Sequence, residues 1–283
     1  MLKKNLKLNS YWKKIESQKK PIFLRKIRLI KKNYLYKIIK LENNKSLMKV
    51  VSNLYKGDFY IIKRIIKKKD IDRLKIQLVK YSKKNKSDFH KMHERCPNFW
   101  RRQDESIAKK YSFQAVRDSF YFFRWNKDDF GIWSIFDNIW RHLKYLEGMD
   151  PYKYEKNTPK DFTVDRVMVV KYPENTGLAE PHIHSTVNQK FGISVYFSKL
   201  GKDYSSGGTY FFKKKDKKIN VENKIDIGDI GIFYNSLIHG VDPVKIGKNI
   251  KNISKDFRGR WWCGLYSPDS DCKKNRKTSK PII

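Results

Sequence analysis

The sequence predicts a mainly β protein with flanking helices (α+β), whose core is a sandwich or jelly roll. Three observations predict it. From Phe162 onward, six short runs rich in β-branched and aromatic residues follow at roughly regular spacing. Gly, Pro, Asn and Ser turns separate them. Before residue 160 the texture alternates between strand-like and helix-like segments. With 283 residues, 39% hydrophobic and 14% aromatic, the chain can bury enough surface to offset its ordering entropy despite 33% charged residues.

Residues 1–50 read as a basic helical extension. Ile22, Leu24, Ile27, Ile30, Leu35 and Ile38 approximate a helical stripe, with Pro21 as its start and Asn43–Asn44 as its stop. Residues 51–268 form the main domain, with a helical and mixed part to 160 and a β core from 161. In the mixed part a strand is expected from Phe59 to Ile65. A helix follows from about Asp70, with Ile71, Leu74, Ile76 and Val79 largely on one side. A second helix is expected from Ile132 to Glu147, ended by Gly148, its apolar face covering a sheet. His142 lies on it as an exposed or packed residue. His90 and His93 can share a helical face, but no third ligand stands nearby. Trp125, Trp133, Trp140 and the SPDSD turn serve a pocket or a core equally well. Residues 269–283 read as a disordered basic tail.

The formal charge of +35 is concentrated at the front. Residues 1–90 hold 28 Lys/Arg against 6 Asp/Glu, a net of +22; the rest hold 36 against 23, a net of +13. Such a field concentrates nucleic acid or anionic membrane. A bias toward Lys, Asn and Ile along the whole chain accounts for it as well, and a basic amphipathic helix also simply packs on its own domain. Cys96, Cys263 and Cys272 are odd in number and far apart, which argues against a disulfide framework or structural zinc and makes a reducing cytoplasm the expected location. The start has no apolar signal region, and no run of 18 apolar residues occurs, so no membrane span is expected.

The chemistry is concentrated in GLAEPHIHSTVNQKFGISVYF. On an extended chain side chains alternate, so His182 and His184 point the same way and can chelate one ion. His239 stands 55 residues beyond His184, where a strand is expected to end. Three neutral imidazoles leave positions for a cosubstrate and O₂, as in non-haem iron sites. Zinc is the rival ion, since three His plus water make a catalytic zinc site. A metal-bound 2-oxo acid needs a cation at its distal carboxylate, and Arg260, opening the last strand, suits that bidentate task. Arg258 has the same parity and is the reserve. An arginine capping a strand by a surface ion pair is the plainer alternative.

KYPENTG, HIH, SSGGTYFF, GDIGIFYNSLIHGV and RGRW occur in that order. With the strand-then-helix opening GDFYIIKRIIKKKDIDRL, they resemble the Fe(II)/2-oxoglutarate-dependent oxygenases over roughly residues 55–268. The resemblance implies a double-stranded β-helix (jelly roll, cupin-like) carrying Fe(II) at its open end. It also implies 2-oxoglutarate as cosubstrate with O₂, succinate and CO₂ as products, and hydroxylation of a small molecule or biosynthetic intermediate. One departure is central, because His184 stands where most members have Asp. A phage and marine-bacterial branch is similar in having PHIH before a Gly-rich strand, which makes His184 a plausible ligand. Glu180 shares the parity of both histidines and is the alternative carboxylate. Tyr196, by similarity, hydrogen-bonds the cosubstrate, or else serves the core. The insert KIGKNIKNISKDF lengthens the usual spacing between the last His and Arg260. Two other functions stand against this reading: a three-His dioxygenase that needs no 2-oxo acid, and a non-catalytic barrel that binds nucleic acid or membrane.

Overall fold

The computed structural model describes residues 2–108, 113–248, 250, 253–277 and 279–282. The chain begins with α1 (Leu6–Glu16), β1 (Ile27–Lys31), α2 (Lys32–Lys40), α3 (Asn44–Tyr55), β2 (Phe59–Lys63) and α4 (Lys68–Lys84). It continues with β3 (Phe99–Gln103), the single turn α5 (Glu105–Ala108), β4 (Ala115–Phe123) and α6 (Ile132–Leu146). The barrel strands follow: β5 (Arg166–Tyr172), β6 (Leu178–Ile183), β7 (Phe191–Tyr196), β8 (Ser206–Lys214), β9 (Lys217–Asn220), β10 (Ile230–Tyr234), β11 (His239–Lys245) and β12 (Arg260–Tyr266). A short β13 (Lys280–Pro281) ends the described chain.

Two antiparallel sheets share these strands. One has the order β10-β7-β12-β5, the other β6-β11-β8-β9. Apart from the β8–β9 hairpin, successive strands alternate between the two sheets, which is the winding of a double-stranded β-helix. β2 and β1 widen the first sheet beyond β10, and β4 and β3 widen it beyond β5. Ala115 and Val116 of β4 also pair with β6 and join the two sheets.

The central strands β10, β7, β12 and β5 of the first sheet are buried on both faces, so they read as nearly unbroken apolar runs. Alternation still sorts the two faces. Trp261, Cys263 and Leu265 of β12, with Val167 and Val169 of β5, face the helices in one cluster with Phe136, Ile139 and Leu143 of α6. Arg260, Trp262 and Tyr266 have the opposite parity and line the barrel interior. The sequence pattern that places α6 on a sheet therefore also aims Arg260 inward.

The Ile22–Ile38 stripe is not one helix. Ile27–Lys31 is a strand, in parallel register with Phe59–Lys63. The helix begins only at Lys32, and the apolar spacing fits both periods over so short a run. Asn43, expected to stop a helix, starts one: its side chain accepts the Ser46 N–H at 3.0 Å as the N-cap of α3. The apolar face of the N-terminal segment is taken up internally. Leu8, Trp12 and Ile15 belong to the main cluster, and Trp12 stacks on Tyr234 at 6.0 Å while its Nε1 donates to the Leu146 carbonyl at 2.9 Å. The strands β3 and β4 are additional to the expected elements. His90 and His93 lie in irregular chain rather than on a helix. The basic tail, expected to be loose, folds back: β13 pairs with β6, and Asp269 and Ser270 are buried. No helix among the described residues is long and apolar enough to cross a membrane.

Because Trp12 is 1% exposed and wedged between Tyr234 and Phe191, Trp12→Ala should destabilise the protein by about 3–5 kcal/mol in guanidinium unfolding. A loss below about 1 kcal/mol would show that α1 is only loosely attached.

Candidate metal centre

The site grows out of one strand pairing. β6 and β11 run antiparallel with His182 directly opposite His239, so both side chains enter the barrel from neighbouring strands. His184 lies just past β6, where its N–H donates to the Asn235 carbonyl at 2.9 Å. His239 opens β11 rather than ending the preceding strand as expected, because Asn235–Ile238 turn the chain first. The three imidazoles bring one nitrogen each within 4.8 Å of the others.

Hydrogen bonds orient the rings. His182 Nδ1 lies 2.7 Å from the Glu180 carbonyl and His239 Nδ1 2.8 Å from the Leu237 carbonyl. A carbonyl only accepts, so both Nδ1 atoms carry protons and both Nε2 atoms present lone pairs. His184 Nδ1 is 2.6 Å from Ser279 Oγ, a hydroxyl that leaves either tautomer open. His184 Nε2 and His239 Nε2 stand 3.2 Å apart. Burial, followed by the neighbouring imidazoles, drives His182 and His184 well below the ordinary histidine range, and burial pushes His239 down to about 4. All three are therefore neutral near pH 7, the state that binds a metal. Phe113 stacks on His182 at 3.9 Å, and Phe233 meets His239 edge-on at 4.7 Å, which restricts the rings further. Two fixed lone pairs, with a third imidazole beside them, are a donor set that fits a transition-metal ion.

Arg260 lines the same cavity, whose volume is about 450 Å³. It is 1% exposed and already paired: Nη2 lies 2.7 Å from Glu222 Oε1 and donates to Thr209 Oγ1 at 2.6 Å. Glu222 is held in turn by the Thr209 N–H at 2.7 Å and by the Tyr204 hydroxyl at 2.5 Å. The second glycine of SSGGTYFF makes room for this carboxylate. Gly208 has φ +94°, and a Cβ there would lie 2.6 Å from Glu222 Cγ. Nothing in the sequence around Glu222 marks it as the partner of Arg260.

The other expected residues fall elsewhere. Gly259, at φ +112°, breaks the strand alternation, so Arg258 turns away and donates Nε to the Ile253 carbonyl at 3.0 Å. Tyr196 is buried among Phe59, Ile61, Phe211 and Phe233, its ring 5.6 Å from the Arg260 guanidinium. Glu180 accepts the Gln114 N–H at 2.6 Å and stands outside the histidine group. Trp125, Trp133 and Trp140 do not line the cavity, whereas Pro268, Asp269 and Asp271 of the SPDSD turn do. Ser279, from the tail, carries no local signal in the sequence that distinguishes it from its neighbours.

No family model matches the chain, and no curated relative matches it. Among solved structures it is similar to a Pseudomonas putida prolyl-4-hydroxylase (12% identity, 78% of this chain and 97% of that one, TM-score 0.47). It is also similar to a Trichoplax adhaerens prolyl hydroxylase in complex with a hypoxia inducible factor peptide (12%, 81% and 92%, TM-score 0.49). A third is a Neurospora crassa protein in complex with alpha-KG and thymine (12%, 88% and 87%, TM-score 0.47).

Glu222→Ala leaves the Arg260 charge buried without its carboxylate and should destabilise the protein by about 3–5 kcal/mol in urea unfolding. Replacing both residues by Met should recover most of that loss. A double variant as unstable as Glu222→Ala would mean that packing, not charge, dominates here.

Proposed function

We propose that this chain is a non-haem Fe(II)/2-oxoglutarate-dependent oxygenase that hydroxylates a small molecule, with release of succinate and CO₂. The observation that carries the reading is the convergence of three neutral, oriented imidazoles beside a cavity that a buried arginine also lines. The motif order in the sequence supports it as well.

In this reading His182, His184 and His239 hold iron and leave positions for 2-oxoglutarate and O₂. Iron with 2-oxoglutarate supplies the oxidising chemistry when bound. The chain's own residues orient and enclose. Arg260 and Thr209 receive the distal carboxylate, and Tyr196 backs the guanidinium. His184 in place of Asp makes the centre one charge unit more positive, which favours a dianionic cosubstrate. Phe113, Phe211 and Phe233 keep bulk water from the histidines.

One observation favours a second reading. Arg260 is already neutralised by Glu222, so a three-His dioxygenase without a 2-oxo acid also fits.

Anaerobic Fe(II) titration with and without 2-oxoglutarate separates the two. The first reading expects a metal-to-ligand charge-transfer band that needs both, and succinate on admitting O₂. His182→Ala or His239→Ala should abolish band and succinate, while His184→Asp retains both and His184→Ala loses them. Iron binding without the band, with O₂ consumed independently of 2-oxoglutarate, would transfer the assignment to the second reading. Full succinate formation in His239→Ala would sink both.

A further inference from the structure

One wall of the cavity carries guanidinium groups that the protein does not neutralise. Arg117 on β4 donates Nε to Gln103 Oε1 at 3.1 Å and also bonds Tyr172. Arg166, the first residue of β5, reaches Met92 Sδ at 3.9 Å, and its Nε is buried with no hydrogen-bond partner. Neither arginine has a carboxylate within ion-pair distance among the described residues, whose pairs include those of Arg260 with Glu222 and Arg276 with Asp271. Arg276 lines the same cavity, and its Nε too is buried without a partner. Burial, with the like charges of Arg276 and Arg117 adding to it, holds Arg166 below the ordinary arginine range.

Three guanidinium groups thus crowd one wall, and among the described residues a single carboxylate, Asp271, pairs with any of them. All three side chains are half-buried, where cations short of counter-charge are costly, and the buried Nε donors of Arg166 and Arg276, left without acceptors, add to that cost. An anion in the cavity would relieve both. The wall lies one ring away from the metal centre on two sides. Arg117 stands 5.5 Å from the Phe113 ring, which stacks on His182. Arg166 stands 5.4 Å from the Tyr266 ring, itself 6.0 Å from His184. Arg166 is also 5.4 Å from the Tyr121 ring, so aromatic surface adjoins the charged group. The cosubstrate arginine, Arg260, belongs to a separate, compensated cluster.

We infer that the substrate carries an anionic group, a carboxylate or a phosphate, bonded by Arg166 with Arg117 and Arg276, and that its apolar part lies against Tyr121, Tyr266 and Phe113 beside the histidines. The planar guanidinium fork suits both anions, and a cavity of about 450 Å³ suits a small molecule. That the ligand is a substrate rests on the oxygenase reading; the anion site itself does not.

Isothermal titration calorimetry on the full Fe(II)-loaded chain under anaerobic conditions tests this with phenyl phosphate and phenylacetate as probes and 2-oxoglutarate in parallel. At least one probe should bind, the stronger one telling phosphate from carboxylate. Arg166→Gln and Arg117→Gln should each weaken it tenfold or more while changing 2-oxoglutarate affinity less than twofold. Arg166→Lys should recover only part of the loss, because charge remains but the fork does not. If Arg166→Gln does not fold, as judged by circular dichroism, Arg117→Gln decides. The inference is overturned if neither probe binds, if the variants bind the probe as the parent does, or if the loss falls on 2-oxoglutarate instead. If the probe results hold and 2-oxoglutarate does not bind the parent, the anion site stands and the oxygenase reading falls.

Discussion

The antiparallel pairing of β6 with β11 sets His182 opposite His239, and most of the site follows from that register. A slip of one residue would turn every side chain of β6 to the other face, so the histidine pair and the closure of the second sheet stand or fall together. The register shifts once, between His239 and Val241, at Gly240. A Cβ at Gly240 would lie 2.7 Å from the Ala179 carbonyl, too close for the strands to keep their spacing. The glycine after the last histidine is thus what allows β11 to approach β6, which carries His182 and leads into His184.

The barrel interior handles charge in two ways. Around the histidines, burial keeps the rings neutral although the carbonyl acceptors favour the protonated form, so the donor set by itself requires no counter-charge. Around Arg260, the charge is kept despite burial by Glu222, Thr209 and two nearby tyrosine rings. The second solution needs a glycine at position 208, because a side chain there would occupy the space of the Glu222 carboxylate. The Gly-Gly strand and the inward arginine, far apart in sequence, are parts of one arrangement.

Much of this was legible in the chain. The i, i+2 spacing of His182 and His184 carries its own geometry, since an extended chain puts both imidazoles on one side. The helix at 132–146 and the strand at 59–63 follow from periodicity and turn residues. What escaped depends on long-range contacts with no local signal. Glu222 follows a lysine-rich hairpin and is identified only by what it meets across the barrel. Arg258 shares parity with Arg260 in the sequence, but Gly259 takes a left-handed conformation that parity counting cannot see. The 22–38 stripe misled because five residues of strand and nine of helix, placed end to end, imitate one helical period.

The C-terminal segment shows how a strongly cationic chain can keep a lysine-rich end beside its three histidines. A free tail of that composition, on a chain of net charge +35, would be driven outward by self-repulsion. Two aspartates prevent this. Asp269 accepts from Asn188, from Lys273 and from the Lys277 N–H, and Asp271 pairs with Arg276 and accepts the Met92 N–H. Their anchorage brings Ser279 to His184 and lays β13 along β6 at His182. Local electrostatics, acting over a few ångströms in a half-buried turn, outweighs a global repulsion that solvent and salt screen. The segment whose composition reads as disposable therefore orients one of the three histidines and supplies Arg276 to the charged wall beside them.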